Sequence, residues 1–165
     1  MTHTHAQPRL DFAEQSPELV KRLQDFSIAI VKTGHIDPKL AYLVDIRASQ
    51  MNGCAFCLDM HVKEAKLHGE RELRLYHVAT WRESPLFTPK ERAALAWTEA
   101  VTEMAPAGVP DEVYAEAREQ FSEKELSTLT FRIMGINAWN RVNVALRTTP
   151  GIRDKAFGLD KAGLA

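Results

Sequence analysis

Leu19, Leu23, Phe26 and Ile30 follow one another at three- and four-residue steps, and Leu40, Leu43, Val44 and Ile46 form a second such stripe. A third runs through Ala93, Ala94, Leu95, Trp97 and Val101, and a fourth through Leu126, Leu129, Ile133, Ile136 and Trp139. This is the spacing of helices that bury one face, and no segment alternates with the period of two expected of a half-buried strand. The punctuation agrees. Ser16-Pro17-Glu18 offers an N-cap, a proline at the first helical position and an acid in the first turn, and Asp37-Pro38 repeats the cap and proline. Thr88 with Glu91, and Ser122 with Glu125, have the spacing of capping boxes. Gly34 and Gly69 are helix stops. The pattern predicts about seven helices, over residues 16–33, 37–50, 54–68, 70–80, 88–104, 110–120 and 122–147. The expected fold class is an all-α helical bundle. Residues 1–15 are expected as a flexible N-terminal tail and residues 16–165 as a single domain, since no internal repeat or Gly/Ser linker divides the chain. His3 and His5 in that tail read as spacers rather than metal ligands.

Charge narrows the functional classes. With 21 basic and 22 acidic residues the net charge is −1, which gives no whole-chain attraction to nucleic acid or to an anionic membrane. No apolar run approaches the roughly 20 residues of a membrane span. The N-terminal residues lack a basic segment followed by an apolar one, so the expected compartment is the cytoplasm.

The chemistry concentrates in one segment. Asn52-Gly53 breaks the second helix, and Cys54, Cys57 and His61 then fall on one face of the next, near its start. The first-turn amides and the helix dipole favour negative charge there, and a thiolate near a helix start or a histidine has a lowered pKa. A second thiol one turn away can capture the oxidised product as a disulfide. A structural disulfide is not needed by a cytosolic chain of this size. Zinc is the rival, with Cys54, Cys57 and His61 as ligands and His68 or His77 as a fourth. Structural zinc usually draws on two separated clusters, and the sequence holds only one, so redox chemistry is favoured. By dipole alone Cys54 is the better thiolate; by its neighbour at i+4, His61, Cys57 is.

The run Ser49-Gln50-Met51-Asn52-Gly53-Cys54-Ala55-Phe56-Cys57-Leu58-Asp59-Met60-His61, followed by Ala65 and Gly69-Glu70, closely resembles the carboxymuconolactone decarboxylase superfamily in its alkylhydroperoxidase-D-like branch. Downstream, Ala79–Arg82, Glu91–Trp97 and Ile136–Arg141 resemble peroxidase-related single-domain members. The resemblance implies an all-α fold, a homo-oligomer (trimer or hexamer) and no cofactor. It further implies reduction of a hydroperoxide substrate through the dithiol, with re-reduction by a thiol or lipoyl protein. Carried over residue by residue, it makes Cys57 the thiol that attacks the peroxide, Cys54 the resolving thiol and His61 part of the proton relay. Decarboxylating members generally lack the cysteine pair, so that activity is not expected.

Two positions depart from the family pattern. The glutamate found twelve residues before the first cysteine is Tyr42 here, and the histidine before the second cysteine is Phe56. Asp45, Tyr42 and Glu99 are the candidates to complete the relay, with Arg47 or Arg132 available to neutralise Asp45. Trp81, Trp97 and Trp139 are expected in the core or at a subunit interface. Asn137, Asn140 and Arg141, inside a predicted helix, are expected to bond between helices rather than to line the thiol pocket. The alternative to an enzyme is a sensor or scaffold in which the disulfide alters oligomer contacts.

Overall fold

The structure, a computed structural model, describes residues 7–164, and among these it contains helices and no strand. The helices are α1 (Phe12–Gln15), α2 (Pro17–Lys32), α3 (Pro38–Met51), α4 (Ala55–Leu67), α5 (Glu72–His77), α6 (Pro89–Glu103), α7 (Asp111–Gln120), α8 (Glu123–Leu146) and α9 (Asp154–Phe157). Short 3-10 turns follow α5 (Val78–Thr80) and α9 (Leu159–Ala162). All seven predicted helices are present, each bounded within two residues of its expected limits once α5 and its 3-10 turn are taken together. Both capping boxes form: the Thr88 and Ser122 hydroxyls accept from the Glu91 and Glu125 amides, and each glutamate accepts from its cap's own N–H.

Residues 7–15 carry a short helix and a tie to α8. Asp11 caps α1 by accepting from the amides of Ala13 and Glu14. The Arg9 amide donates to the Leu146 carbonyl at 3.0 Å, tying this strand of chain to the last turn of α8. His3 and His5 lie outside the described residues. The first apolar stripe is only partly covered: Ile30 is buried, whereas Leu19 is 71% exposed.

Helix α3 is the hub. Leu40 and Val44 pack with Trp97, Phe121, Leu129 and Ile133 between α6, α7 and α8. On another side, Leu43 and Ile46 meet Ala65, Leu75, Trp81 and Leu95. At its C-terminal end Ala48 joins Cys54, Cys57 and Ile136 in a third cluster. Fully burying a leucine or isoleucine contributes about 1.5–3 kcal/mol, so α3, with Leu43, Val44 and Ile46 at 0% exposure, anchors the platform on which the cysteines sit. Gly53 makes the tight reversal from α3 into α4 at φ +64°, a left-handed conformation that suits glycine. No helix among the described residues is long and apolar enough to cross a membrane.

Candidate active site

Cys54 is the N-cap of α4. Its amide donates to the Ser49 carbonyl at 2.9 Å, and its sulfur accepts from the Cys57 amide at 3.3 Å. The cap position thus holds a sulfur where a hydroxyl or carboxylate oxygen is usual. Both cysteines are free thiols, exposed by 2% and 1% for Cys54 and Cys57. They titrate as one pair. Cys54 is pulled down to about 7: the Cys57 thiol donates a hydrogen bond to it, and this outweighs burial, with help from the Cys57 amide, Asn140 and the charge of His61. Cys57 is pushed up, because its proton is engaged by Cys54, because it is buried, and because a second negative charge would sit beside the first. The pair therefore takes on a single charge as pH rises through about 7, with the charge favoured on Cys54. The hydrogen bond from the Cys57 thiol is the largest of these influences, and the charge of His61 acts on Cys54.

His61 is buried (8% exposed) on the next turn of α4. Its Nδ1 lies 2.7 Å from the Glu64 carboxylate and 3.7 Å from that of Asp45. Burial opposes charge on the ring, but the Asp45 and Glu64 carboxylates outweigh it and raise the pKa, so the imidazolium is favoured. Asp45, from α3, is held by Arg132 of α8, whose Nε donates to Oδ1 at 3.0 Å and whose Nη2 donates to Oδ2. A chain of alternating charge thus runs from Arg132 through Asp45 to His61.

Of the three candidate relay residues, the structure brings Asp45 to His61 and places the other two elsewhere. The Tyr42 hydroxyl pairs with the His68 ring at 3.1 Å. Glu99 accepts from Arg47 and from the Trp81 indole, both at 2.7 Å, and pairs with Arg82 at 2.5 Å. Arg47 is accordingly engaged by Glu99, and it is Arg132 that neutralises Asp45. Glu64 is a carboxylate that the sequence reading passed over; its i,i+3 spacing from His61 was the available signal. Among the described residues, no three His, Cys, Asp or Glu side chains converge as a ligand set. His77 is hydrogen bonded to Ser84.

The far wall of the thiol pair is α8, and it is made of amides. Asn52 donates to both Asn137 and Asn140 at 2.9 Å, Asn140 donates to Ser49 at 3.1 Å, and Asn137 donates to Thr102 at 3.0 Å. Arg141 donates to the Asn137 side chain at 2.9 Å. These are the bonds between helices expected for Asn137 and Asn140, but the network also touches the chemistry, since the Asn140 amide favours the thiolate at either sulfur. One turn on, Asn143 donates to the Cys57 sulfur at 3.6 Å. Trp81 and Trp97 are buried and Trp139 half-buried, with their indoles donating to Glu99, Thr130 and Ser27.

Known proteins resemble this chain in sequence and fold. The model of the carboxymuconolactone decarboxylase family matches residues 17–100. The uncharacterized protein YdfG of Bacillus subtilis is 39% identical over 138 residues, covering 84% of this chain and 93% of YdfG. A crystal structure from Agrobacterium tumefaciens, of a protein of unknown function with a suggested AhpD antioxidant-defence role, superposes with a TM-score of 0.85 at 38% identity, covering 88% of this chain and 99% of that one. The debrominase Bmp8 shares the fold, with a TM-score of 0.76 at 22% identity over 90% of this chain and 79% of its own.

Proposed function

Because the chain belongs to the carboxymuconolactone decarboxylase family, in its AhpD-like branch, we propose that it is a thiol-dependent peroxidase and disulfide oxidoreductase acting through Cys54, Cys57 and His61. The observation that carries this reading is the coupled pair of free sulfurs at the start of α4, with a buried imidazole held by Asp45 and Glu64 one turn away.

The proton shared by the pair passes from Cys57 to Cys54. The Cys57 thiolate attacks the terminal oxygen of a hydroperoxide, the O–O bond breaks, and sulfur gives up two electrons to become a sulfenic acid. The departing alkoxide takes the proton of the His61 imidazolium and leaves as an alcohol. Cys54 returns a proton to His61 and attacks the Cys57 sulfur. An S–S bond forms, and hydroxide leaves with that proton as water. A thiol or lipoyl protein then supplies two electrons and two protons, becoming a disulfide itself, and restores one proton to the cysteine pair and one to His61. Asp45 and Glu64 keep the ring oriented and charged, so that its proton is ready when the alkoxide develops. No cofactor or metal takes part.

This chemistry needs a reducing partner and suits the cytoplasm. We also propose a homo-oligomer, a trimer or hexamer. Helix α8 leaves Phe131 47% and Met134 51% exposed, beside Phe26 of α2, whose ring meets Phe131 edge-on at 6.2 Å. Neighbouring apolar side chains open to water on two packed helices are the kind of surface a second copy covers.

The test is steady-state consumption of hydrogen peroxide and an organic hydroperoxide with dithiothreitol as reductant. Many turnovers per chain, abolished in Cys57→Ser, are expected. A single stoichiometric oxidation with a changed sedimentation coefficient would replace the enzyme by a redox sensor, a second reading that the burial of both sulfurs favours.

A further inference from the structure

Helix α8 buries three asparagines at three-residue intervals, and they are not equivalent. Both side-chain atoms of Asn137 and of Asn140 are paired, through Asn52, Thr102, Arg141 and Ser49. Asn143 is 5% exposed, and its Oδ1 has no hydrogen-bond partner among the described residues. Its Nδ2 donates twice, to the Trp139 carbonyl at 2.9 Å and to the Cys57 sulfur at 3.6 Å. The bond to Trp139 fixes which way the amide faces, since turning it over would set two carbonyl oxygens against each other. The backbone is fixed as well, because the Asn143 carbonyl accepts from the Thr148 amide at 3.0 Å where α8 ends. A buried amide oxygen left unpaired is unfavourable, and here it is held on the same amide group that touches the sulfur.

The proposed reaction creates the donor that this oxygen lacks. When Cys57 attacks a hydroperoxide, the transferred oxygen keeps its hydrogen, and the product is S–O–H. We propose that Asn143 is a catalytic residue of the peroxidase reaction: its Nδ2 steadies the attacking Cys57 sulfur, and its Oδ1 accepts the O–H of the sulfenic acid that forms there. The amide thereby spans both atoms of the new S–O bond. The resting enzyme carries the unpaired acceptor, the sulfenic state satisfies it, and disulfide formation releases it along with water. The inference rests on the peroxidase reading above, and assigns the oxygen-receiving side of that same site.

The experiment uses the full-length protein in a Cys54→Ser background, where the Cys57 sulfenic acid cannot be resolved. Hydrogen peroxide is the oxidant, a dimedone-type reagent traps the sulfenic acid, and mass spectrometry follows its formation and its loss to sulfinic acid. Adding Asn143→Ala removes both contacts. Formation should slow, and the sulfenic acid should be lost about three- to tenfold sooner, the worth of one net hydrogen bond. Adding Asn143→Asp keeps an acceptor and removes the donor, so formation should slow while the lifetime is retained. A merely structural asparagine does not produce this split. Equal lifetimes in the parent and Asn143→Ala, or lifetimes shortened alike in both variants, overturn the proposal. Should Asn143→Ala fail to fold, Asn143→Asp decides by its lifetime: retained upholds the proposal, shortened overturns it. If the parent forms no sulfenic acid while Cys57→Ser forms one at Cys54, the peroxidase reading survives and the role of Asn143 falls. If neither forms one, both fall.

Discussion

The Cys57 amide donates to the Cys54 sulfur at 3.3 Å, so the thiol that opens α4 is also the acceptor that satisfies one of that helix's unpaired first-turn amides. A thiolate is a stronger acceptor than a thiol, and the same contact that caps the helix therefore draws charge to Cys54.

The ultraviolet absorbance of the thiolate should accordingly appear as pH rises through about 7 and vanish as pH falls below it. In Cys57→Ala the side-chain donor is gone, although the amide at that position remains, and the midpoint should move up toward the ordinary thiol value of about 8.5. A wild-type midpoint already at the ordinary value would show that the pair does not share its proton.

Asp45→Asn should lower the pKa of His61, read from its ring resonances by NMR. Burial opposes charge on this ring, and Asp45 is the largest influence that favours it. His61 has a raised folded pKa, so its contribution is fully present below its unfolded value of about 6.5 and is lost as pH rises through the folded pKa. The substitution also leaves Arg132 without its buried partner, and urea denaturation should show a loss of about 3–5 kcal/mol. An unchanged His61 titration would remove Asp45 from the relay.

Asn140→Ala should destabilise the fold without touching the apolar core. Asn140 is 0% exposed, accepts from Asn52 and donates to Ser49. Its removal takes the Asn140 donor from the buried Ser49 hydroxyl on α3, at about 1–3 kcal/mol for a group left unpaired, while Asn52 keeps its bond to Asn137. Urea melts at constant slope would report this, and a change below 0.5 kcal/mol would mean that the network relaxes around the gap.

Phe131→Glu should dissociate the proposed oligomer while leaving helix content unchanged, as measured by sedimentation velocity and circular dichroism. Phe131 is already 47% exposed, so the charge is tolerated in the separated chain. A wild-type protein that sediments as a monomer would overturn the oligomer directly.

Much of this architecture was legible because punctuation and periodicity coincide. Ser16-Pro17, Asp37-Pro38, Thr88 with Glu91 and Ser122 with Glu125 start helices where the sequence says they should. The dithiol was legible for a local reason: Cys54, Cys57 and His61 lie on one helix, so their spacing fixes their face. The partners of His61 were harder to read. Asp45 reaches it only because Asn52-Gly53 folds α4 back along α3, and a tertiary contact of that kind has no sequence period. Helix α8 buries its predicted stripe of Leu126, Leu129, Ile133 and Ile136, but it also buries Asn137, Asn140 and Asn143 while exposing Phe131, Met134 and Val144. Binary patterning assumes that polar residues face water; here Asn140 and Asn143 face the thiol pair, and Asn137 bonds to Asn52 and Thr102. Asn143 continues the three-residue spacing of Asn137 and Asn140, and that continuation was the signal for it.

Lys63, on α4 two residues past His61, is 5% exposed and pairs with Asp59 at 2.8 Å and with Asp154 of α9 at 2.6 Å. The 3-10 turn after α9 also packs on α4, with Leu159 and Ala162 buried. The thiol-bearing helix is therefore strapped from outside by chain that is distant in sequence, and loosening the strap exposes a buried ammonium group on α4 itself. Cutting the chain ahead of Asp154 would take this strap off the very rod on which the sulfurs ride.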